Sequence, residues 1–165
     1  MITTTREFVK RLLERIPKGK VLEVGSLDVN GNIRDLFGGW EYIGVDMRDG
    51  KNVDKIVNGH DLLKEFEPES FDLVVCIDTL EHDVRFWETI ENMRGVLKTG
   101  GYLVVCVPSL RHPRHNHPND YYRFFETFLG EVALEGYDDL CINIDCYSDN
   151  NTNLPDEVLG WGRKC

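Results

Sequence analysis

The sequence lacks any run of the roughly 20 consecutive apolar residues that a membrane span needs. Its opening segment, MITTTREFVKRLLERIPKGK, has the spacing of an amphipathic helix rather than the apolar core of a secretion signal. There is no C-x-x-C pair. The five cysteines, Cys76, Cys106, Cys141, Cys146 and Cys165, are odd in number, and Cys76 and Cys106 fall inside apolar runs, which argues against a cysteine zinc site and a disulfide framework. Positive charge is scarce: 19 Lys and Arg stand against 29 Asp and Glu, a formal net charge of -10, and such a field repels nucleic acid. Also missing is G-x-G-x-x-G, the turn that lets a helix amino terminus approach a pyrophosphate, so a nicotinamide dinucleotide is disfavoured. Internal repeats, low-complexity tracts and linkers are absent. The expectation is one domain spanning residues 1–165, cytoplasmic, with a small-molecule or protein partner and no membrane attachment. Nothing in the sequence specifies an oligomeric state.

What is present is an alternation of apolar runs and helical patterns, which argues for a wound α/β domain. A first helix is expected from about Thr4, where Thr4-x-x-Glu7 makes a capping box. Phe8, Val9, Leu12, Leu13 and Ile16 give it one apolar stripe, and Pro17 ends it. Strands are expected at residues 21–24, 42–45 and 53–57, with a short helix over 29–37. Residues 71–77 form a nearly unbroken apolar run, the pattern of a central parallel strand covered on both faces. Phe86, Trp87, Ile90, Met93 and Leu97 recur at helical spacing, Gly100-Gly101 punctuates them, and residues 102–107 give a fifth strand. Phe125, Phe128, Leu129 and Val132 suggest another helix, and residues 140–146 and 157–161 an antiparallel pair. Phe86 and Trp87 are expected in the helix core, while Trp40 and Trp161 fit no pattern.

An open parallel sheet binds ligands outside the carboxyl ends of its strands, so the turns after the strands carry the candidate chemistry. After the first comes Glu23-Val24-Gly25-Ser26-Leu27-Asp28-Val29-Asn30-Gly31. Gly25 permits close backbone approach, and a helix starting near Asn30 would offer free N–H groups to a carboxylate or phosphate. Asp46 ends the second strand, where a carboxylate can accept hydrogen bonds from both hydroxyls of a ribose. These features by themselves also suit an ordinary tight turn.

The runs VLEVGSLDVNG, YIGVDM, NGHDL, SFDLVVCIDTLEH and VLKTGGYLVVCVPS follow one another over residues 20–109. In order and spacing they resemble the motifs of the type 11 group of class I S-adenosylmethionine-dependent methyltransferases. The resemblance implies a Rossmann-like α/β fold with a seven-stranded, mostly parallel sheet. Its strand order would be 3-2-1-4-5-7-6, with strand 7 antiparallel and helices on both faces. It implies S-adenosylmethionine as cofactor, with Glu23, Gly25 and Ser26 along the methionine part and Asp46 on the ribose. Met47 would lie against the adenine, Asn58, Gly59 and His60 would read its edge, and Asp78 and Thr79 would face the sulfonium. Glu81 and His82 would begin the next helix. Leu27 and Val29 stand where the family often has glycine, so the first loop must take another path. The alternative function is an inactive adenosyl-ligand-binding module of the same fold.

Methyl transfer from a sulfonium needs in-line positioning above all, and a base only for a hydroxyl or protonated amine acceptor. His82, His117 and Tyr121 are the candidate catalytic residues. His117 and Tyr121 belong to SLRHPRHNHPNDYYRFF, residues 109–125, a locally basic stretch with Arg111, Arg114 and Arg123. Related methyltransferases carry an HNHPxDYWRFT-like segment here, and Tyr122 and Phe125 depart from it. The stretch reads as a lid for an anionic acceptor, or as residues pairing with the acidic body. No metal site is expected: His112, His115 and His117 lack an H-x-x-x-H face and a nearby cysteine or carboxylate pair.

Overall fold

The computed structural model describes residues 3–115, 119–145 and 156–165. Strands β1 (Lys20–Val24), β2 (Glu41–Asp46), β3 (Lys55–Ile56), β4 (Phe71–Ile77), β5 (Leu97–Pro108), β6 (Tyr137–Asp145) and β7 (Glu157–Lys164) form one sheet. Its order is β3-β2-β1-β4-β5-β7-β6. The first five strands run parallel, and β7 is antiparallel to both β5 and β6. The order, the reversed strand and the two-faced covering match the expectation.

Strand periodicity divides the core into two layers, because neighbouring residues point to opposite faces. Val21, Leu73, Val75, Val104 and Trp161 pack beneath α1 (Thr3–Leu13) with Phe8, Val9 and Leu12. Leu22, Val24, Val74, Cys76 and Val105 pack on the other face. There they meet Leu62 of α2 (Leu62–Glu65) and Ile90, Met93 and Val96 of α3 (Phe86–Val96). Trp161 is core, its ring centroid 4.4 Å from that of Phe8. Cys76 and Cys106 are buried free thiols, as the apolar runs implied.

The strands are fastened to one another at their amino ends. Asp72 accepts the Lys20 backbone N–H at 2.8 Å and the Lys98 ammonium at 2.7 Å, joining β1, β4 and β5. Where β5 passes Gly100-Gly101, its register on β4 jumps between Phe71 and Leu73. Gly100 has φ +81, and a Cβ on Gly101 would meet the Asp72 carbonyl oxygen at 2.9 Å. The glycine pair therefore does not stop the strand but forms a bulge inside it.

Four other expectations are corrected. Helix α1 already includes Thr3 and Thr4 and ends at Leu13, so Thr4-x-x-Glu7 is not its cap; Thr5 Oγ1 instead donates to buried Glu157 at 2.8 Å. Only a 3₁₀ turn, Arg34–Phe37, forms within 29–37. The helix around Phe125 is short: α4 (Glu126–Phe128) opens into a π turn, Leu129–Ala133, that buries Leu129 and Ala133 but leaves Phe125 and Val132 exposed. Trp87 is exposed, because Phe86 beside it takes the inward direction against Tyr122, Phe124 and Phe128, and consecutive helical residues cannot share a face. Among the described residues no helix is long and apolar enough to cross a membrane.

Candidate active site

A cleft of about 560 Å³ opens at the carboxyl ends of β1, β2 and β4, within the size range of small-ligand sites. Every described candidate residue lines it: Glu23, Gly25 and Ser26 after β1, Asp46 and Met47 after β2, Asn58, Gly59 and His60 beyond β3, and Asp78, Thr79 and His82 after β4. Tyr121 lines it from the loop after β5. His117 lies outside the described residues.

Gly25 has φ +78, and the Thr79 side chain packs into the space a Cβ there would take. The expected helix at Asn30 does not form. Asp28 accepts the Gly31 N–H at 2.9 Å and the Asn32 amide at 2.7 Å, and it pairs with Lys51 at 2.6 Å. That side chain satisfies an N–H a helix start would have presented, so the first loop closes on itself rather than on an anion.

Ser26 is buried, and its hydroxyl donates to the Asn52 carbonyl at 3.1 Å, so its side chain braces the turn. Glu23 is also buried. It accepts a short hydrogen bond from Tyr42, whose hydroxyl also receives the Asn52 amide at 3.1 Å. Burial pushes the Glu23 carboxyl up to about 7. Asp46 turns a largely covered side chain to the cleft and accepts the Arg48 N–H through Oδ1 at 2.9 Å. Met47 is exposed at the rim. Asn58 caps the 3₁₀ turn Gly59–Asp61 through the His60 N–H, and His60 Nε2 lies 2.9 Å from Asp83. His60 is therefore held by a carboxylate within the wall.

Asp78 sits at φ 47, a left-handed conformation that aspartate tolerates better than most residues. Burial raises its pKa. Glu81 and His82 do not begin α3; they occupy a separate 3₁₀ turn, Leu80–His82. Burial lowers the His82 pKa, which keeps the ring neutral near pH 7. Its Nδ1 makes a short hydrogen bond to the Asn119 carbonyl, and its Nε2 lies 3.2 Å from His115 Nε2. Tyr121 is tied to the same turn, its N–H donating to the Glu81 carbonyl at 2.8 Å.

The arginines of residues 109–125 do not line the cleft. Arg123 forms a fork with Asp120 and also donates to the carbonyls of His112 and Pro113. Beside that guanidinium the Asp120 carboxyl is held well below the usual range. Arg111 lies 3.7 Å from Asp156. Among the described residues, Arg48 is the one Lys or Arg on a wall that carries Glu23, Asp46, Asp78, Asp83 and Glu157. Arg111 and Arg123 thus face carboxylates of the acidic body, while Arg114 and Arg123 line a second hollow that shares His112 and Tyr121 with the cleft.

Sequence reading missed Glu81 as a member of the site. It is fully buried, and neither carboxylate oxygen has a hydrogen-bond partner. Its position beside His82 in DTLEH was the available signal, but the approach of His115 was not.

This strand order, with β7 reversed and a cleft at the carboxyl ends of the central strands, defines the class I methyltransferase architecture. The type 11 methyltransferase domain model matches residues 22–105, just over half the chain, and the chain belongs to that family. No curated protein matches the sequence. A solved S-adenosylmethionine-dependent methyltransferase from Archaeoglobus fulgidus is 20% identical, with TM-score 0.69 over 96% of this chain and 94% of that one. A possible histamine N-methyltransferase from Thermotoga maritima is 15% identical, with TM-score 0.67 over 98% and 89%. The 1,6-didemethyltoxoflavin-N1-methyltransferase of Burkholderia thailandensis, solved with its acceptor and S-adenosylhomocysteine, is 14% identical, with TM-score 0.71 over 98% and 77%.

Proposed function

We propose that the chain is an active S-adenosylmethionine-dependent methyltransferase, residues 1–165 serving as one domain, with a small-molecule or protein acceptor. The observation that carries this reading is the convergence of Gly25, Asp46, Asp78 and Thr79 with His82 and Tyr121 on one cleft. The cofactor fits the residues present. Gly25, with φ +78 and no side chain, brings bare backbone to the cleft wall, Asp46 keeps one carboxylate oxygen for a ribose, and the acidic lining suits a cationic sulfonium. The Burkholderia enzyme, with a small molecule and S-adenosylhomocysteine bound, supports the same use of this fold.

When bound, S-adenosylmethionine supplies an activated methyl group. The protein's part is to fix donor and acceptor in line and to exclude water. Gly25 and Thr79 shape one side of that alignment, and Asp46 anchors the nucleoside end. His82, His115, Asn119 and Tyr121 form the acceptor side. The neutral His82 ring there presents an electron pair to a proton or an ion. Calorimetric titration with S-adenosylhomocysteine tests the reading, with one ligand per chain expected. Absence of binding by both this ligand and S-adenosylmethionine would overturn it, and binding without transfer to any acceptor would favour the inactive module.

A further inference from the structure

We infer that Glu81, His82 and His115 form a site for one divalent metal ion of the zinc type, with an open coordination face toward the cleft that takes an oxygen of the acceptor. The ion's role in transfer rests on the methyltransferase reading; its binding does not.

Three candidate ligand atoms converge. Glu81 Oε1 lies 3.5 Å from His82 Nε2 and 3.7 Å from His115 Nε2, and the two nitrogens are 3.2 Å apart. A triangle with these sides has its centre about 2.0 Å from each corner, the length of a zinc–nitrogen or zinc–carboxylate bond. Two histidines, one glutamate and an open position make a set that zinc accepts.

The surroundings orient the lone pairs of this cluster toward one another. The Asn119 carbonyl can only accept a hydrogen bond, so His82 carries its proton on Nδ1 and turns the Nε2 lone pair inward. His115 Nδ1 faces the Pro113 carbonyl at 3.4 Å and Asp120 at 3.5 Å, which favours the same tautomer. Metal-bound histidines are characteristically held this way through the other ring nitrogen. Glu81 adds a fully buried carboxylate with neither oxygen hydrogen-bonded. Three electron-pair donors facing one another call for positive charge between them, which a proton or a metal ion supplies, and their spacing matches the ion. Arg123 now has a place: it fixes Asp120, and Asp120 holds both the backbone N–H and the ring of His115.

His82 and His115 line the cleft, so an ion at this point would raise the acidity of an acceptor hydroxyl. The hydroxyl proton leaves to solvent, the oxygen forms a bond to the methyl carbon, and the carbon–sulfur electron pair returns to sulfur. His82 then serves as a ligand rather than as a base. The acceptor class is a hydroxyl compound.

Full-length protein stripped with chelator and titrated with zinc by calorimetry, and with cobalt by its visible absorption, tests the site. One ion per chain is expected. Glu81→Gln and His115→Ala should weaken binding at least about 100-fold, and His112→Ala should leave it unchanged. Circular dichroism, with S-adenosylhomocysteine binding through Gly25 and Asp46 on the turns after β1 and β2, checks that each variant folds. If Glu81→Gln fails that check, His115→Ala carries the test. Wild-type binding weaker than about 0.1 mM, undiminished binding by His115→Ala, or loss in His112→Ala would overturn the site. Retained nucleoside binding without metal binding would refute only the ion. Metal binding without nucleoside binding would support the ion site and refute the methyltransferase reading.

Discussion

Gly25 and Thr79 meet at the floor of the cleft from two neighbouring strands. A Cβ on Gly25 would lie 2.0 Å from Thr79 Oγ1, and Thr79 is held there by its hydrogen bond to the Ile77 carbonyl at 2.9 Å. The positive φ of Gly25 adds strain to any substitution. Gly25→Ala should therefore cost about 1 to 3 kcal/mol of stability and lower S-adenosylhomocysteine affinity at least about tenfold. Thermal unfolding and calorimetry check the two effects. An alanine variant with wild-type affinity would remove Gly25 from the site.

Asp46 is the principal anchor expected for the ribose. Its replacement by alanine removes charge-assisted hydrogen bonds, each worth about 1.5 to 3 kcal/mol. Titration with S-adenosylhomocysteine should show affinity at least about tenfold weaker, and unchanged affinity would reassign the ribose pocket.

Glu23 gives a pH dependence with a definite sign. Burial raises its carboxyl from 4.5 to about 7 in the folded chain, so folding favours the protonated form. Its contribution is fully present below about pH 4.5 and is lost as pH rises through about 7, an upper limit of about 3 kcal/mol. Glu23→Gln keeps an acceptor for Tyr42 without the titration. In denaturant melts of ligand-free protein, the variant should gain on the wild type between about pH 5 and pH 7 and level off by about pH 8. A gap that is constant across that range would refute the shift.

Much of the frame was legible. Phe71–Ile77 emerged with the bounds its apolar run gave, because a strand covered on both faces announces itself by composition alone. The turns were legible as positions but not as contacts. Asp28 closing on Gly31 is a local choice between side-chain and helical hydrogen bonding that periodicity does not register. The meeting of His82 with His115, 33 residues apart, depends on how the loop after β5 folds back over the turn after β4. Arginine content shows charge and not its partner, so the fork between Arg123 and Asp120 was not legible.

Arg123 supplies the fourth prediction. Asp120 is nearly inaccessible, and removing Arg123 leaves that carboxylate without its main counter-charge. Arg123→Ala should destabilise the protein by on the order of 3 kcal/mol and loosen residues 109–125, seen as faster amide exchange there. Nucleoside affinity should fall less than in the Asp46→Ala variant. A fully stable variant with an altered acceptor preference would return Arg123 to direct recognition.

Asp72 joins β1, β4 and β5 at the end of the sheet away from the cleft, through Lys20 and Lys98. This fastening makes the molecule permissive. Strand spacing is set away from the cleft, so exposed positions of the loop after β5, such as Leu110 and Arg114, can change without disturbing the frame that carries Gly25, Asp46 and Thr79. Acceptor choice can then be retuned at such exposed positions while the donor end stays as it is.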